Sequence, residues 1–162
     1  MTLIFEQKIE LEQFLEECES KLFAEEIKVE IIYNPKWDIS EIKNTNNKLF
    51  DSIGEIKPNI YAIFATENKD SDFRLKYIGQ TNSQGARTRL TNHLITKNDK
   101  TGAQLEKVKS IVKNGGRIKI SFIKIEPESL RHYIEEMLIE KYKNKLEWNT
   151  PGKRKNSFPS KI

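Results

Sequence analysis

The 162 residues suit one domain with a real buried core, and apolar residues at 36% against charged residues at 32% imply a heavily charged surface. No run of about 18 apolar residues offers a membrane span, and the start, Met1-Thr2-Leu3-Ile4-Phe5-Glu6, lacks the basic-then-apolar pattern of a secretory signal, so no membrane partner is expected and the cytoplasm is the default. The net charge of +4 hides a strong asymmetry, and the single cysteine, Cys18, excludes an internal disulfide and a cysteine-rich zinc site.

In chain order, residues 7–23 read as an amphipathic helix, with Leu11, Phe14, Leu15, Cys18 and Leu22 on one stripe and Glu on the other face. Cys18 lies on that stripe and is read as core. Residues 27–33 alternate as a strand through Ile27, Val29 and Ile31, and Asn34-Pro35 marks a turn. Residues 38–53 are ambiguous, with a short helix carrying Leu49, Phe50 and Ile53. After the break at Lys57-Pro58-Asn59, the apolar run Ile60 to Ala65 reads as a buried central strand, and Leu75 to Gly79 as its long-looped hairpin partner.

Residues 86–96 read as a helix with Leu90 and Leu94 on one side. Thr101-Gly102-Ala103-Gln104 has the form of a capping box for a second helix, whose stripe is Leu105, Val108, Ile111 and Val112 and which Gly115-Gly116 stops. Ile118, Ile120 and Phe122 alternate as a third strand. Pro127 opens a last helix, to about Asn144, with Leu130, Ile134, Leu138 and Tyr142 on one face, and the basic tail beyond Pro151 is expected to be loose. From residue 59 the order is strand, strand, helix, helix, strand, helix. The expected fold is α/β (α+β): a small antiparallel or mixed sheet of about three strands flanked by helices. Residues 1–56 are an N-terminal helix-strand extension packed on a core of residues 57–152, and residues 153–162 form the tail.

Charge points to a partner. Residues 1–26 hold eight Glu and two Lys, a balance of −6, whereas residues 141–162 carry +6, so everything after residue 26 is basic by +10. Such a surface attracts phosphate backbones, although a solvated surface without a partner has the same composition. Two tyrosines, Tyr61 and Tyr77, fall on adjacent strands where a hairpin can set them side by side. Arg89 and His93, four apart, project from one helix face. Two strand aromatics and a solvated helix face are the plain alternative; together the four suit an anionic substrate.

Asn59-Ile60-Tyr61 and Tyr77-Ile78-Gly79 resemble the paired elements of the GIY-YIG nucleases, with Asn59 in place of the first glycine. Arg89-Leu90-Thr91-Asn92-His93 matches the family's Arg, three residues, then His or Tyr. Arg87 competes less well, since Thr91 stands four residues after it. The later helix supplies a Glu at Glu135 or Glu136, and Leu146-Glu147-Trp148-Asn149 supplies the Asn. Consecutive helix residues point about 100° apart, so one glutamate is expected to face the site. Leu138 and Ile139 follow Glu135 at three and four residues, which favours Glu135 and leaves Glu136 as the fallback.

The resemblance implies hydrolysis of DNA phosphodiester bonds. Arg89 would offset the charge of the phosphorane-like state with its donor fork. Glu135 would anchor Mg2+ or Mn2+, hard cations that keep several waters and bind substrate oxygens. Tyr61 leads as general base, needing a lowered pKa, with Lys76 or His93 able to share the task. Tyr77 would orient water or phosphate, and Asn149 would position backbone. Lys153, Arg154 and Lys155 would hold nucleic acid. With no room for a large second domain and no zinc module, the chain looks most like a type II restriction endonuclease, a homodimer acting on double-stranded DNA. A non-specific, repair or phage nuclease of the same family and a catalytically silent nucleic-acid-binding module are the alternatives.

Overall fold

The computed structural model describes residues 8–96 and 104–149. Its chain order is α1 (Lys8–Phe23), β1 (Val29–Ile31), α2 (Ile39–Thr45), α3 (Asn47–Ile56), β2 (Ile60–Ala65), β3 (Arg74–Gln80), α4 (Ala86–Leu94), α5 (Leu105–Lys113), β4 (Ile118–Ile123) and α6 (Arg131–Tyr142). One antiparallel sheet, ordered β1-β4-β2-β3, runs through the middle. The expected sheet of about three strands therefore gains a fourth. β1 pairs with the outer edge of β4 through Val29↔Ile120 and Ile31↔Ile118, so part of the N-terminal extension belongs to the sheet itself.

β2 is buried along its whole length. That is why it reads as an unbroken apolar run: each face of the sheet needs its own apolar set. Tyr61, Ile63 and Ala65 point to one face, where they join Phe50 and Ile53 of α3, Leu90 and Leu94 of α4 and Val108 of α5. Ile60, Ala62 and Phe64 point to the other, where they meet Cys18 and Leu22 of α1 and Ile134 and Leu138 of α6. The result is a layer of helices, a sheet and a second layer of helices. Among the described residues no helix is long and apolar enough to cross a membrane.

Several elements differ locally from their sequence pattern. Ile27 lies in a short 3-10 turn, and the first strand is only three residues long. The ambiguous stretch 38–53 is two helices, α2 capped by the Asp38 side chain on the Glu41 amide and α3 ending at Lys57, whose φ is 52°. Thr101 of the expected capping box lies outside the described residues. Gln104 is itself the residue before α5, and its side-chain amide donates to the Trp148 carbonyl. Pro127 opens a short 3-10 turn that leads into α6.

Three asparagines extend the sheet with their side chains. A primary amide holds an N–H donor and a carbonyl acceptor side by side in one plane, with a second N–H besides, so it can pair with both backbone groups of one residue. Asn46 does this with Ile32, at 3.0 and 2.8 Å. Asn59 does it with Ile125, at 2.9 Å in both directions. Asn149 does it with Ile78, at 3.0 and 2.8 Å. Asn59 is fully buried, so Asn59→Ala leaves the Ile125 amide and carbonyl without partners. At about 1–3 kcal/mol per stranded group, urea unfolding is expected to show a loss of about 2–4 kcal/mol. A loss under about 0.5 kcal/mol would mean that this pairing carries no weight.

Candidate active site

The antiparallel register sets Tyr61 opposite Gly79 and Ile63 opposite Tyr77, so both tyrosines project from the same sheet face. Their ring centroids are 6.0 Å apart. Tyr61 lies across the backbone of its partner: a Cβ on residue 79 would stand 2.6 Å from the Tyr61 hydroxyl oxygen and 2.7 Å from Cε1 of Tyr77. No side chain fits there. The glycine of the second motif is thus explained by the space that two rings share, without any special backbone angle.

α4 crosses the same face. Its residues Leu90 and Leu94 are fully buried against the sheet, which turns Arg89 and His93 toward the tyrosines. Arg89 donates Nε to the Tyr61 hydroxyl at 3.1 Å. The His93 ring lies 6.2 Å from Tyr61 and 5.7 Å from Tyr77, and His93 is 2% exposed. Neither of its ring nitrogens has a hydrogen-bond partner among the described residues. Arg87, by contrast, faces outward and pairs with Asp51.

Electrostatics separate these groups. Burial, and then the neighbouring Tyr77 hydroxyl, push the Tyr61 pKa up, while Arg89 works against that rise. A general base needs the opposite shift. Burial, and then the Arg89 charge, push the His93 pKa down to about 4, so the imidazole is neutral at pH 7 and keeps a lone pair on one nitrogen.

The other expected residues stand at or beyond the outer edge of β3, the strand with no further neighbour. Asn149 pairs with Ile78 there, and the Trp148 amide donates to the Lys76 carbonyl. Lys76 sits at a bulge between the Ile63 and Phe64 pairings, and its buried ammonium holds the Glu147 carboxylate at 2.8 Å. That ion pair gives Lys76 a partner away from the tyrosines.

α6 packs on the opposite face and runs antiparallel to β3. Arg131 at its start donates to the Gln80 side chain at the end of β3, and Tyr142 at its finish lies beside Leu75. Glu135 comes one turn after Arg131 on the same helix face, about 6 Å along the axis. Glu135 is carried by α6, whose Ile134 and Leu138 pack on the sheet face opposite Tyr61 and Tyr77, so the fold does not set it among the tyrosine cluster. Glu135 and Glu136 are both half-buried, so burial does not choose between them. Lys153, Arg154 and Lys155 lie outside the described residues.

The bonding roles of three residues were not legible in local sequence. Asn59 holds the β2, β3 and β4 ends together: its carbonyl accepts from Thr81, its amide donates to Ile123, and its side chain pairs with Ile125. Glu128 accepts from the Ser83 amide at 2.8 Å, and Arg131 holds Gln80, so the start of α6 is bound to the loop that leads into α4.

Glu135 is the carboxylate that the sequence offers to a metal ion. Among the described residues no group of three His, Cys, Asp or Glu side chains converges to cage an ion. Mg2+ needs no such cage where substrate oxygens and water complete its shell, so a single carboxylate at Glu135 fits that donor set. No protein-family model, curated protein or solved structure matches the chain.

The buried histidine yields a pH prediction. Its folded pKa lies below the usual value of 6.5, so between pH 6.5 and about 4 the unfolded chain binds a proton that the folded chain refuses. Stability contributed by neutral His93 is complete above pH 6.5 and falls as the pH drops toward 4. The urea midpoint should decline over that range, and His93→Gln should decline less steeply between pH 6.5 and 5. Parallel curves for the two proteins would contradict the assignment.

Proposed function

We propose that this protein is a metal-assisted endodeoxyribonuclease of the GIY-YIG type that hydrolyses phosphodiester bonds of double-stranded DNA in the cytoplasm. The observation that carries the reading is the convergence of Tyr61, Tyr77, Arg89 and His93 on one sheet face beside the β3 edge. One guanidinium, two hydroxyls and a neutral imidazole form a donor-rich, positively charged cluster, buried except at the half-exposed Arg89, that suits a phosphodiester. At the finer level the reading is a type II restriction endonuclease working as a homodimer, since two-fold symmetry suits cutting both strands.

In this reading the Arg89 Nε bond to Tyr61 fixes the plane of the guanidinium, and its two Nη groups meet the non-bridging phosphate oxygens. Charge that develops on those oxygens meets a donor already in place. Tyr77, the more exposed of the two tyrosines, orients the attacking water or the phosphate. Tyr61 acts chiefly by holding Arg89, because burial raises its pKa. His93, neutral at pH 7, takes the proton from the water. A divalent cation bound at Glu135 would supply further positive charge to the scissile phosphate. Asn149 keeps the β3 edge straight beside it.

The burial of Tyr61, at 1% exposure, favours one other reading, a catalytically silent module in which the tyrosines are core and the chain only binds nucleic acid. Point variants separate the two. Arg89→Ala should reduce single-turnover cutting by about 10²–10³-fold, and Glu135→Ala should abolish it while DNA binding survives. An unchanged rate for either variant removes that residue from the site. The choice of base shows in the pH profile: with His93 as base the rate is level from about pH 5.5 to 8, whereas a tyrosine base gives a rate that climbs across that range.

A further inference from the structure

A cleft of about 670 Å3 opens at the β1 edge of the sheet. Two strands, β4 and β2, separate this edge from β3. The cleft volume lies within the range of about 300–1,000 Å3 typical of small-ligand sites. One wall is a pair of stacked rings, Tyr33 and Trp37, with centroids 4.9 Å apart and planes 17° from parallel. Both rings are pinned by their polar ends. The Tyr33 hydroxyl donates to the Leu94 carbonyl at 3.1 Å, and Trp37 Nε1 donates to the Ile95 carbonyl at 3.2 Å. Trp37 also holds a φ of 53°, a backbone state that a bulky residue adopts only when its surroundings impose it. The rim is cationic. Lys109 Nζ lies 5.6 Å over the Trp37 ring, and Lys113 and Arg117 line the same opening. Among the described residues the one lining carboxylate, Glu30, stands 3.5 Å from Arg117, and Glu106, outside the cleft, stands 3.8 Å from Lys109.

We propose that this cleft binds a single unpaired nucleotide, its base against the Tyr33–Trp37 wall and its phosphate on Lys109 and Lys113. A rigid aromatic wall is wasted on bare phosphate, and a cationic rim is wasted on a neutral apolar ligand. A nucleotide uses both, by stacking and by charge. The rings are fixed before binding, so little ordering is needed when the base arrives. The site uses none of the residues of the tyrosine cluster and needs no hydrolysis, so it stands apart from the nuclease reading. The same chemistry is offered by a free nucleotide and by an unpaired position in a strand.

The test is isothermal titration of the full chain in chelator with deoxyadenosine monophosphate, with a ten-nucleotide oligo(dA), and with inorganic phosphate. Saturable binding of either nucleotide ligand is expected, weakened at least tenfold by Lys109→Ala/Lys113→Ala; both side chains are at the surface, and circular dichroism checks the fold. Trp37→Leu should weaken it likewise, and the lysine pair decides the matter should that variant fail to fold. Oligo(dA) binding more than tenfold tighter than the monophosphate assigns the site to unpaired strands; a smaller ratio assigns it to free nucleotides. No binding of either, phosphate binding as tightly as the monophosphate, or a loss under tenfold in the lysine variant would overturn the proposal. Because the titration reads binding without cleavage, a failed cutting assay leaves its result untouched.

Discussion

Tyr61 and Gly79 face each other across β2 and β3, and the tyrosine hydroxyl lies where a Cβ of residue 79 would be. The arrangement of the candidate site follows from that missing atom. Because the space is open, the Tyr61 ring lies across the partner strand and its hydroxyl comes to Arg89 Nε on α4. Because Tyr77 shares the same space, the two tyrosine rings and the His93 ring gather on one face with centroids 5.7–6.2 Å apart. A side chain at residue 79 would overlap both rings, so one or both would have to shift.

That geometry must be held rigid at a sheet edge, where strands fray most readily. The asparagines do this. Asn149 occupies the outer edge of β3 at Ile78, between the two motif residues Tyr77 and Gly79. Asn59 fastens the start of β2 to the end of β4, and Asn46 closes the edge just beyond β1. An amide side chain satisfies strand groups that would otherwise invite pairing with another chain. At Asn59 both the backbone and the side chain carry the ladder, bonding to Thr81, Ile123 and Ile125.

Much of the fold was legible because it rests on local periodicity. The run Ile60 to Ala65 is β2 to the residue, and the α1 stripe with Cys18 is a buried face. What local pattern could not show was long-range. The stretch 38–53 is ambiguous in sequence because its break at Asn46 is made by bonds to Ile32, fourteen residues away. The fourth strand was missed as a sheet member because Val29–Ile31 is short and gains its place only by pairing with β4, nearly ninety residues on. In the site, spacing alone set Arg89 and His93 on one helix face. Burial did the rest, and it acts against a basic Tyr61 while leaving His93 neutral. Lys76 faces the sheet edge because the bulge beside it hands its ammonium to Glu147.

The central claim is that the tyrosine cluster with Glu135 cuts DNA. The most direct measurement is incubation of supercoiled plasmid with the purified chain and Mg2+ or Mn2+, with a matched reaction in chelator. The account predicts nicked or linear product with the ions and intact plasmid in chelator. Plasmid that stays supercoiled with both ions, across several DNAs of different sequence, would contradict it.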